Sequence, residues 1–166
     1  MMLLARKLQK NYHIQMKSES EVAVFHCRMC GHCCEGKGGI IVSPNDLVRL
    51  ASFLQLPETE VIDRFGEYLG GKLQIRTGAD GFCIFFKQGK GCTVHEGKPD
   101  ICRAWPFFRG NLLDSESFAM AKEFCPGIDK DAPHSTFCAE GKTYLSKMNL
   151  LAHDAHCEAN ALIIES

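Results

Sequence analysis

The chain has 166 residues, of which 45% are hydrophobic and 23% charged, and its formal net charge is −1. These values are typical of an ordinary globular protein with one hydrophobic core, and they predict a single small domain. Lysine and arginine are spread along the chain without a basic stripe, so no nucleic-acid partner is expected. No stretch approaches the roughly 18 apolar residues of a membrane span, so no membrane association is expected either.

The chain contains ten cysteines, several times the ordinary proportion. An even number would allow a disulfide framework, which requires an oxidising compartment. The apolar run Met1–Leu4 is very short and is followed, not preceded, by positive charge, which is the reverse of a secretory signal. We therefore expect a cytoplasmic protein with reduced thiols, in which clustered cysteines bind metal or carry redox chemistry.

The N-terminal part of the chain is predicted to be a helical scaffold that follows a cysteine-rich loop. Residues 1–24 form a predicted arm, and an extended segment leads from it into the loop at residues 27–34. Ser43 is a favoured N-cap residue and Pro44 fits a first helical turn, so a helix is expected to begin there. A second helix is predicted over residues 58–68, and a glycine pair ends it.

The rest of the chain has more varied signals. Residues 73–77 and 82–86 are strand-like and flank a glycine-bearing turn, which predicts a β-hairpin. One or two helical turns are predicted from Pro99, and the next proline ends them. Residues 109–122 are expected to form an exposed loop followed by a strand, and a closing helix is expected over about residues 143–162.

These elements predict an α+β fold, a small single domain of helices with a short β-hairpin, organised around a cysteine-ligated metal or cluster region. Within it, residues 25–130 would form the cysteine-cluster metal-binding domain. Residues 131–166 would supply a C-terminal helix that packs on the same domain.

The loop Cys27–Cys34 carries four cysteines within eight residues, in the pattern Cys-x2-Cys-x2-Cys-Cys. A Cys-x2-Cys pair lets the backbone turn around one metal ion, and a third cysteine at the same spacing suits an iron–sulfur cluster. Gly31 supplies the permissive backbone for such a turn. Because neighbouring side chains diverge, Cys33 and Cys34 are not expected to bind the same ion. A disulfide knot or buried structural cysteines would be the alternative.

Four further cysteines complete two sets of four, the number that metal sites commonly use. Cys125 precedes a proline, as does the remote cysteine that completes ferredoxin-type clusters. We predict that this second set converges on the first loop. The full set of predicted metal- and cofactor-binding residues is Cys27, Cys30, Cys33, Cys34, Cys83, Cys92, Cys102 and Cys125.

Other chemically capable side chains lie near these cysteines. We expect His95 to contact a metal-bound sulfur without binding the metal itself, and Arg103 to offset thiolate charge. Trp105 is expected to shield the site from water. Cys138 and Cys157 are expected to take no part in it.

The combined motifs resemble the YkgJ-like cysteine-cluster family, which carries a zinc- or iron-chelating CxxCxxCC domain. The resemblance rests on the first cysteine run, on the segments 41–50 and 92–106, and on Cys125-Pro126-Gly127, and it covers roughly residues 25–130. Lys98 departs from the arginine that the family usually has before the proline. The resemblance implies zinc or iron binding but no particular reaction.

Three functions fit this pattern. The first is an iron–sulfur protein, with a 4Fe–4S cluster, that acts in electron transfer with a redox partner or as an oxidoreductase component. The second is a zinc-stabilised structural or interaction module without catalysis, and the third is a thiol-rich metal chaperone. The three-cysteine loop and the remote Cys-Pro favour iron. The sequence contains no nucleophile with its base and no nucleotide loop, so enzymatic activity stays open.

Overall fold

The computed structural model describes residues 23–164, so almost all of the predicted arm at residues 1–24 lies outside the described part. The α-helices in the described part are α1 (Pro44–Leu54), α2 (Glu58–Phe65), α3 (Asp100–Ala104), α4 (Arg109–Leu113), α5 (Ser115–Phe124) and α6 (His134–Lys147). Short antiparallel strand pairs accompany them: β1 (Gly66–Leu69) with β2 (Lys72–Ile75), and β3 (Phe86–Lys87) with β4 (Gly91–Cys92). The predicted α+β class is confirmed.

Helix α1 begins at the predicted N-cap. The side-chain oxygen of Ser43 accepts a hydrogen bond from the Asp46 backbone N–H at 3.1 Å, and the Asp46 carboxylate accepts one from the Ser43 N–H at 2.9 Å. This is a complete capping box in which aspartate replaces the usual glutamate. Leu50 of α1 is fully buried, so this helix packs one face against the interior.

The predicted hairpin between residues 73–77 and 82–86 is present only as one antiparallel bridge, between Thr77 and Cys83, across the predicted turn at residues 78–81. Strand β2 pairs instead with β1, across the two-residue turn Gly70-Gly71. Both glycines have positive φ, of 60° and 81°, which suits the tight turns that join antiparallel strands. The glycine pair therefore turns a hairpin, and residues 66–68 belong to a strand and not to the second helix.

Two predictions in the C-terminal half are also wrong. Residues 109–122 lie mostly in α4 and α5, and the Asp114 side chain caps α5 by accepting from the Ser117 N–H at 2.8 Å. The sequence predicts a closing helix over residues 143–162, but α6 begins at His134 and already ends at Lys147. The chain leaves it through Asn149, whose φ of 52° does not continue a right-handed helix.

The buried side chains form two hydrophobic cores. The first core packs residues of α3, α4, α5 and α6, with Phe107, Phe137 and Leu145 at most 1% exposed. The second core packs α1, α2 and β2 against residues 83–94. Helix α6 thus packs on helices that precede residue 130. The boundary near residue 130, between the cysteine-cluster domain and the C-terminal helix, stays a prediction. None of the helices between residues 23 and 164 is long and apolar enough to cross a membrane.

Candidate metal centre

The loop Cys27–Cys34 turns at its glycine, as predicted. Gly31 has φ of 91°, and the N–H of Cys34 donates to its carbonyl oxygen at 2.8 Å. A Cβ atom on Gly31 would lie 2.3 Å from the ring of Phe86, so that ring packs directly against the loop backbone. Only glycine satisfies both the positive φ and this close approach.

Two cysteines of the second set lie next to this loop through backbone pairing. The N–H of Cys83 donates to the carbonyl oxygen of Cys34 at 2.7 Å. Cys92 follows in strand β4, opposite Phe86, the residue whose ring covers Gly31. The loop and the β3–β4 pair therefore form one wall, which belongs to the second core.

Cys102 lies on α3, and side chains of α1 fix the start of that helix. The Asp46 carboxylate accepts the N–H of Asp100 at 2.9 Å, and Arg49 donates to the Asp100 carboxylate at 2.7 Å. Arg49 also pairs with Asp46, so two acids and one arginine connect the two helices. This ionic cluster sets where Cys102 lies relative to the rest of the site.

Cys125 ends α5 and is held beside the start of the loop. The N–H of His26 donates to the carbonyl oxygen of Gly127 at 2.8 Å, and Phe25 forms an antiparallel bridge with Ile128. The residue before Cys27 is therefore hydrogen-bonded to the residue that follows the Cys125-Pro126 pair. Residues 25–26 and 127–128 form a short antiparallel ladder that places Cys125 near the first cysteine of the loop.

These elements surround one cavity of about 550 Å³. Cys83 belongs to the second core and Cys125 to the first, so the cavity lies between the two cores. All eight candidate cysteines line it: Cys27, Cys30, Cys33, Cys34, Cys83, Cys92, Cys102 and Cys125. Soft thiolate donors of this kind suit zinc or an iron–sulfur cluster. The role of each cysteine as a ligand stays a prediction.

The cavity is not a preformed coordination sphere. Within residues 23–164, no three histidine, cysteine or acidic side chains are placed so that they could hold a single ion as they stand. Metal binding would therefore require side chains to turn towards a common centre. Cys30 and Cys33 are exposed on the loop and are free of disulfide bonds, so their rotation meets little steric resistance. Such coupling of metal binding to local ordering is common in small metal-binding domains.

The two adjacent cysteines influence each other's pKa. The neighbouring Cys34 thiol is the main reason why the pKa of Cys33 falls to about 7. The Cys33 thiol is the main reason why the pKa of Cys34 rises, and burial adds to the effect. Both cysteines lie in the 3-10 turn His32–Cys34 and line the cavity. That they do not bind the same ion stays a prediction.

The thiols of Cys83, Cys92 and Cys102 are protonated at neutral pH when no metal is bound. Burial is the main cause that raises the pKa of each of them. Metal binding would have to release these protons, so metal affinity should increase with pH. Lys98, which also lines the cavity, acts in the opposite direction on Cys92 and Cys102.

His95 and Arg103 both line the cavity, as expected for residues beside the site. The Nδ1 atom of His95 lies 3.5 Å from the Lys98 ammonium, and burial lowers the pKa of the imidazole, so the ring is neutral. Arg103 donates to the Asp100 carboxylate at 3.0 Å, which already offsets its charge. Sequence reasoning overlooked Lys98 as a cation of the site, although its position between Cys92 and Cys102 could have indicated it.

The remaining two cysteines are not among the residues that line the cavity. The thiol of Cys138 donates to the carbonyl oxygen of Leu112 at 3.1 Å, and the thiol of Cys157 donates to the Asp154 carboxylate at 3.3 Å. Trp105 lines the cavity and packs edge-to-face on Phe108, consistent with the expected shielding role.

The fold and the cavity define a small α+β domain with a metal-chelating cysteine cluster. The family model described as "Putative zinc- or iron-chelating domain" (CxxCxxCC) matches residues 26–126, a range that contains all eight cysteines of the cavity. The chain belongs to this CxxCxxCC family, as the sequence resemblance implied.

The chain is also similar to a protein of Methanocaldococcus jannaschii named "Uncharacterized protein MJ0661". The two are 32% identical over 102 residues, which cover 61% of this chain and 54% of the relative. The match thus spans about half the length of that protein. No solved structure matches the chain.

Proposed function

We propose that the chain is an iron–sulfur protein that acts in electron transfer or as an oxidoreductase component. In this proposal a 4Fe–4S cluster is held by Cys27, Cys30, Cys125 and one thiol of the Cys33–Cys34 pair. The observation that carries the proposal is the ladder that joins residues 25–26 to residues 127–128. A remote Cys-Pro beside a Cys-x2-Cys-x2-Cys loop is the ligand arrangement of ferredoxin-type clusters.

The other thiols form a second group of four. These are Cys83, Cys92 and Cys102 together with the member of the Cys33–Cys34 pair that does not join the first group. The backbone bond from Cys83 to Cys34 favours Cys34 for this role. In the proposal the second group holds a further metal centre that shares the cavity.

The position of the loop suits exchange of electrons with another protein. A bound cluster supplies an acceptor and donor of single electrons. Cys30 and Cys33 are exposed, which would place the first centre close to the protein surface. We therefore infer a redox protein partner that docks at the loop. Reduced thiols are needed to bind the cluster, and the proposal places the protein in the cytoplasm.

Zinc is the alternative, and one observation favours it. The cavity lies between the two hydrophobic cores, so metal bound to cysteines from both cores would crosslink them. Structural zinc acts in this way, because its binding free energy contributes directly to folding. The protein would then be a zinc-stabilised interaction module without catalysis.

Anaerobic purification followed by an absorption spectrum and elemental analysis distinguishes the two. The iron–sulfur proposal predicts a brown protein with a broad visible absorption band and with iron and acid-labile sulfide in equal amounts. A colourless protein with stoichiometric zinc would overturn it in favour of the structural module. A protein that binds neither metal, even after anaerobic reconstitution, would contradict both.

A further inference from the structure

Lys98 holds its charge in the cavity without a carboxylate partner. The residue is half-buried and lines the cavity with the eight cysteines. Among the ion pairs of residues 23–164, the nearby acids Asp46 and Asp100 are paired with Arg49 and Arg103, and none involves Lys98. Its ammonium lies 3.5 Å from the Nδ1 atom of the neutral His95 ring.

The backbone on both sides of Lys98 is fixed by α1. Arg49 donates to the Lys98 carbonyl oxygen at 3.1 Å. A Cβ on the preceding Gly97 would lie 2.6 Å from the Cβ of Phe53, so this segment packs tightly against the helix. The backbone from which the Lys98 side chain enters the cavity is therefore held by structure outside the cysteine loop.

The side chain of Lys98 shares the cavity with thiols that come from separate elements. Cys33 lies on the loop, Cys92 in β4 and Cys102 on α3, and all three line the cavity together with Lys98. Four thiolates around a divalent metal ion leave about two net negative charges, which need compensation in a partly buried site.

We propose that Lys98 is the residue that compensates the negative charge of the metal–thiolate centre and thereby strengthens metal binding. Lys98 acts on the metal through the sulfurs and is a positioning residue, not a ligand. The inference rests on the proposed function, because it requires metal at the cysteines.

The test compares three variants of the full chain, each prepared metal-free under anaerobic conditions and titrated with Zn²⁺ against a chromophoric chelator. Lys98→Met removes the charge at similar length, and Lys98→Arg keeps it. Lys147→Met, in the exposed last turn of α6, makes the same change in net charge away from the cavity. Circular dichroism of each metal-free variant shows whether it retains the secondary structure of the unmodified chain.

Lys98→Met should bind Zn²⁺ about tenfold more weakly than the unmodified chain, because it removes a compensating positive charge from the partly buried surroundings of the thiolates. Lys98→Arg and Lys147→Met should bind as the unmodified chain does. Equal affinity for Lys98→Met would overturn the proposal while leaving the metal-binding function intact. Equal weakening in Lys98→Met and Lys98→Arg would overturn it too, since charge would not be the cause. If the unmodified chain binds no Zn²⁺, this inference fails, whereas the proposed function fails only if the anaerobically purified or reconstituted protein also lacks iron and sulfide.

Discussion

Substitution of Gly127 by alanine tests whether the segment that follows Cys125-Pro126 must pack against the start of the cysteine loop. A Cβ at this position would lie 2.4 Å from the carbonyl oxygen of His26 and 3.0 Å from the ring of Phe25. Real Cβ atoms do not approach a backbone oxygen so closely, so the two segments must separate. The 2.8 Å hydrogen bond from the His26 N–H to the Gly127 carbonyl oxygen would weaken with them.

The expected cost combines two effects. Overpacking at a well-packed site costs about 1–3 kcal/mol, and the loss of one hydrogen bond costs about 0.5–1.5 kcal/mol. Gly127→Ala should therefore lower the free energy of unfolding by about 2–4 kcal/mol. Because Cys125 moves away from Cys27, the variant should also lose metal.

Gly110→Ala is the matched control. Gly110 lies exposed on α4, and a Cβ there would meet no heavy atom within 4 Å. This substitution should leave stability unchanged or raise it by up to about 1 kcal/mol, because alanine favours helix over glycine. Urea unfolding and elemental analysis measure both effects. If Gly127→Ala matched Gly110→Ala in midpoint and in metal content, the reasoning about this contact would be refuted.

Three further predictions follow from the site. Gly31→Ala should lower stability and metal content more than Gly36→Ala does. Both glycines have φ near 100°, but of the two only Gly31 would place a Cβ against an aromatic ring. Equal urea midpoints for the two variants would contradict this. The double variant Cys138→Ala, Cys157→Ala should retain full metal content by elemental analysis, and loss of half the metal would show that the ligand set is drawn too small. In the metal-free protein, alkylation of Cys33 should reach half its maximal rate near pH 7, because the fraction of reactive thiolate rises through its lowered pKa. A midpoint near pH 9, followed by peptide mass spectrometry, would contradict the lowered pKa.

Local signals were sufficient where one short stretch determines the structure. The start of α1 depends on Ser43, Pro44 and Asp46, which form their cap within four residues. The turn at Gly31 follows from the same kind of local requirement. Spacing and number selected eight cysteines, and all eight line one cavity, although their role as ligands stays a prediction.

Predictions failed where the outcome depends on competition between neighbouring signals. The pair Gly70-Gly71 can end a helix or turn a hairpin, and only the pairing of β1 with β2 decides between them. The polar stretch near Asp114 resembles a loop in sequence. In the structure, the Asp114 side chain caps α5, and the buried Phe118 anchors this helix in the first core. Tertiary packing of this kind has no signature in a short window of sequence.

The chain after α6 shows the same limit. Its apolar residues Leu150, Ala152 and Leu162 are buried in the first core, as a closing helix would bury them. However, the Glu158 carboxylate accepts the backbone N–H groups of His153 and Asp154, each at 2.7 Å. A side chain thus satisfies backbone donors that a helix would otherwise pair, so the segment stays irregular while its burial is preserved.

The metal content of Cys125→Ser, measured beside that of Cys138→Ser, tests most directly whether the remote cysteine and the loop share a metal centre. Serine is nearly the same size as cysteine but is a poor ligand for soft metals, so either replacement changes little except thiolate binding. We predict that Cys125→Ser loses the metal centre that Cys125 shares with the cysteines of the loop, while Cys138→Ser retains full metal content. Full retention of metal in folded Cys125→Ser would contradict the central claim.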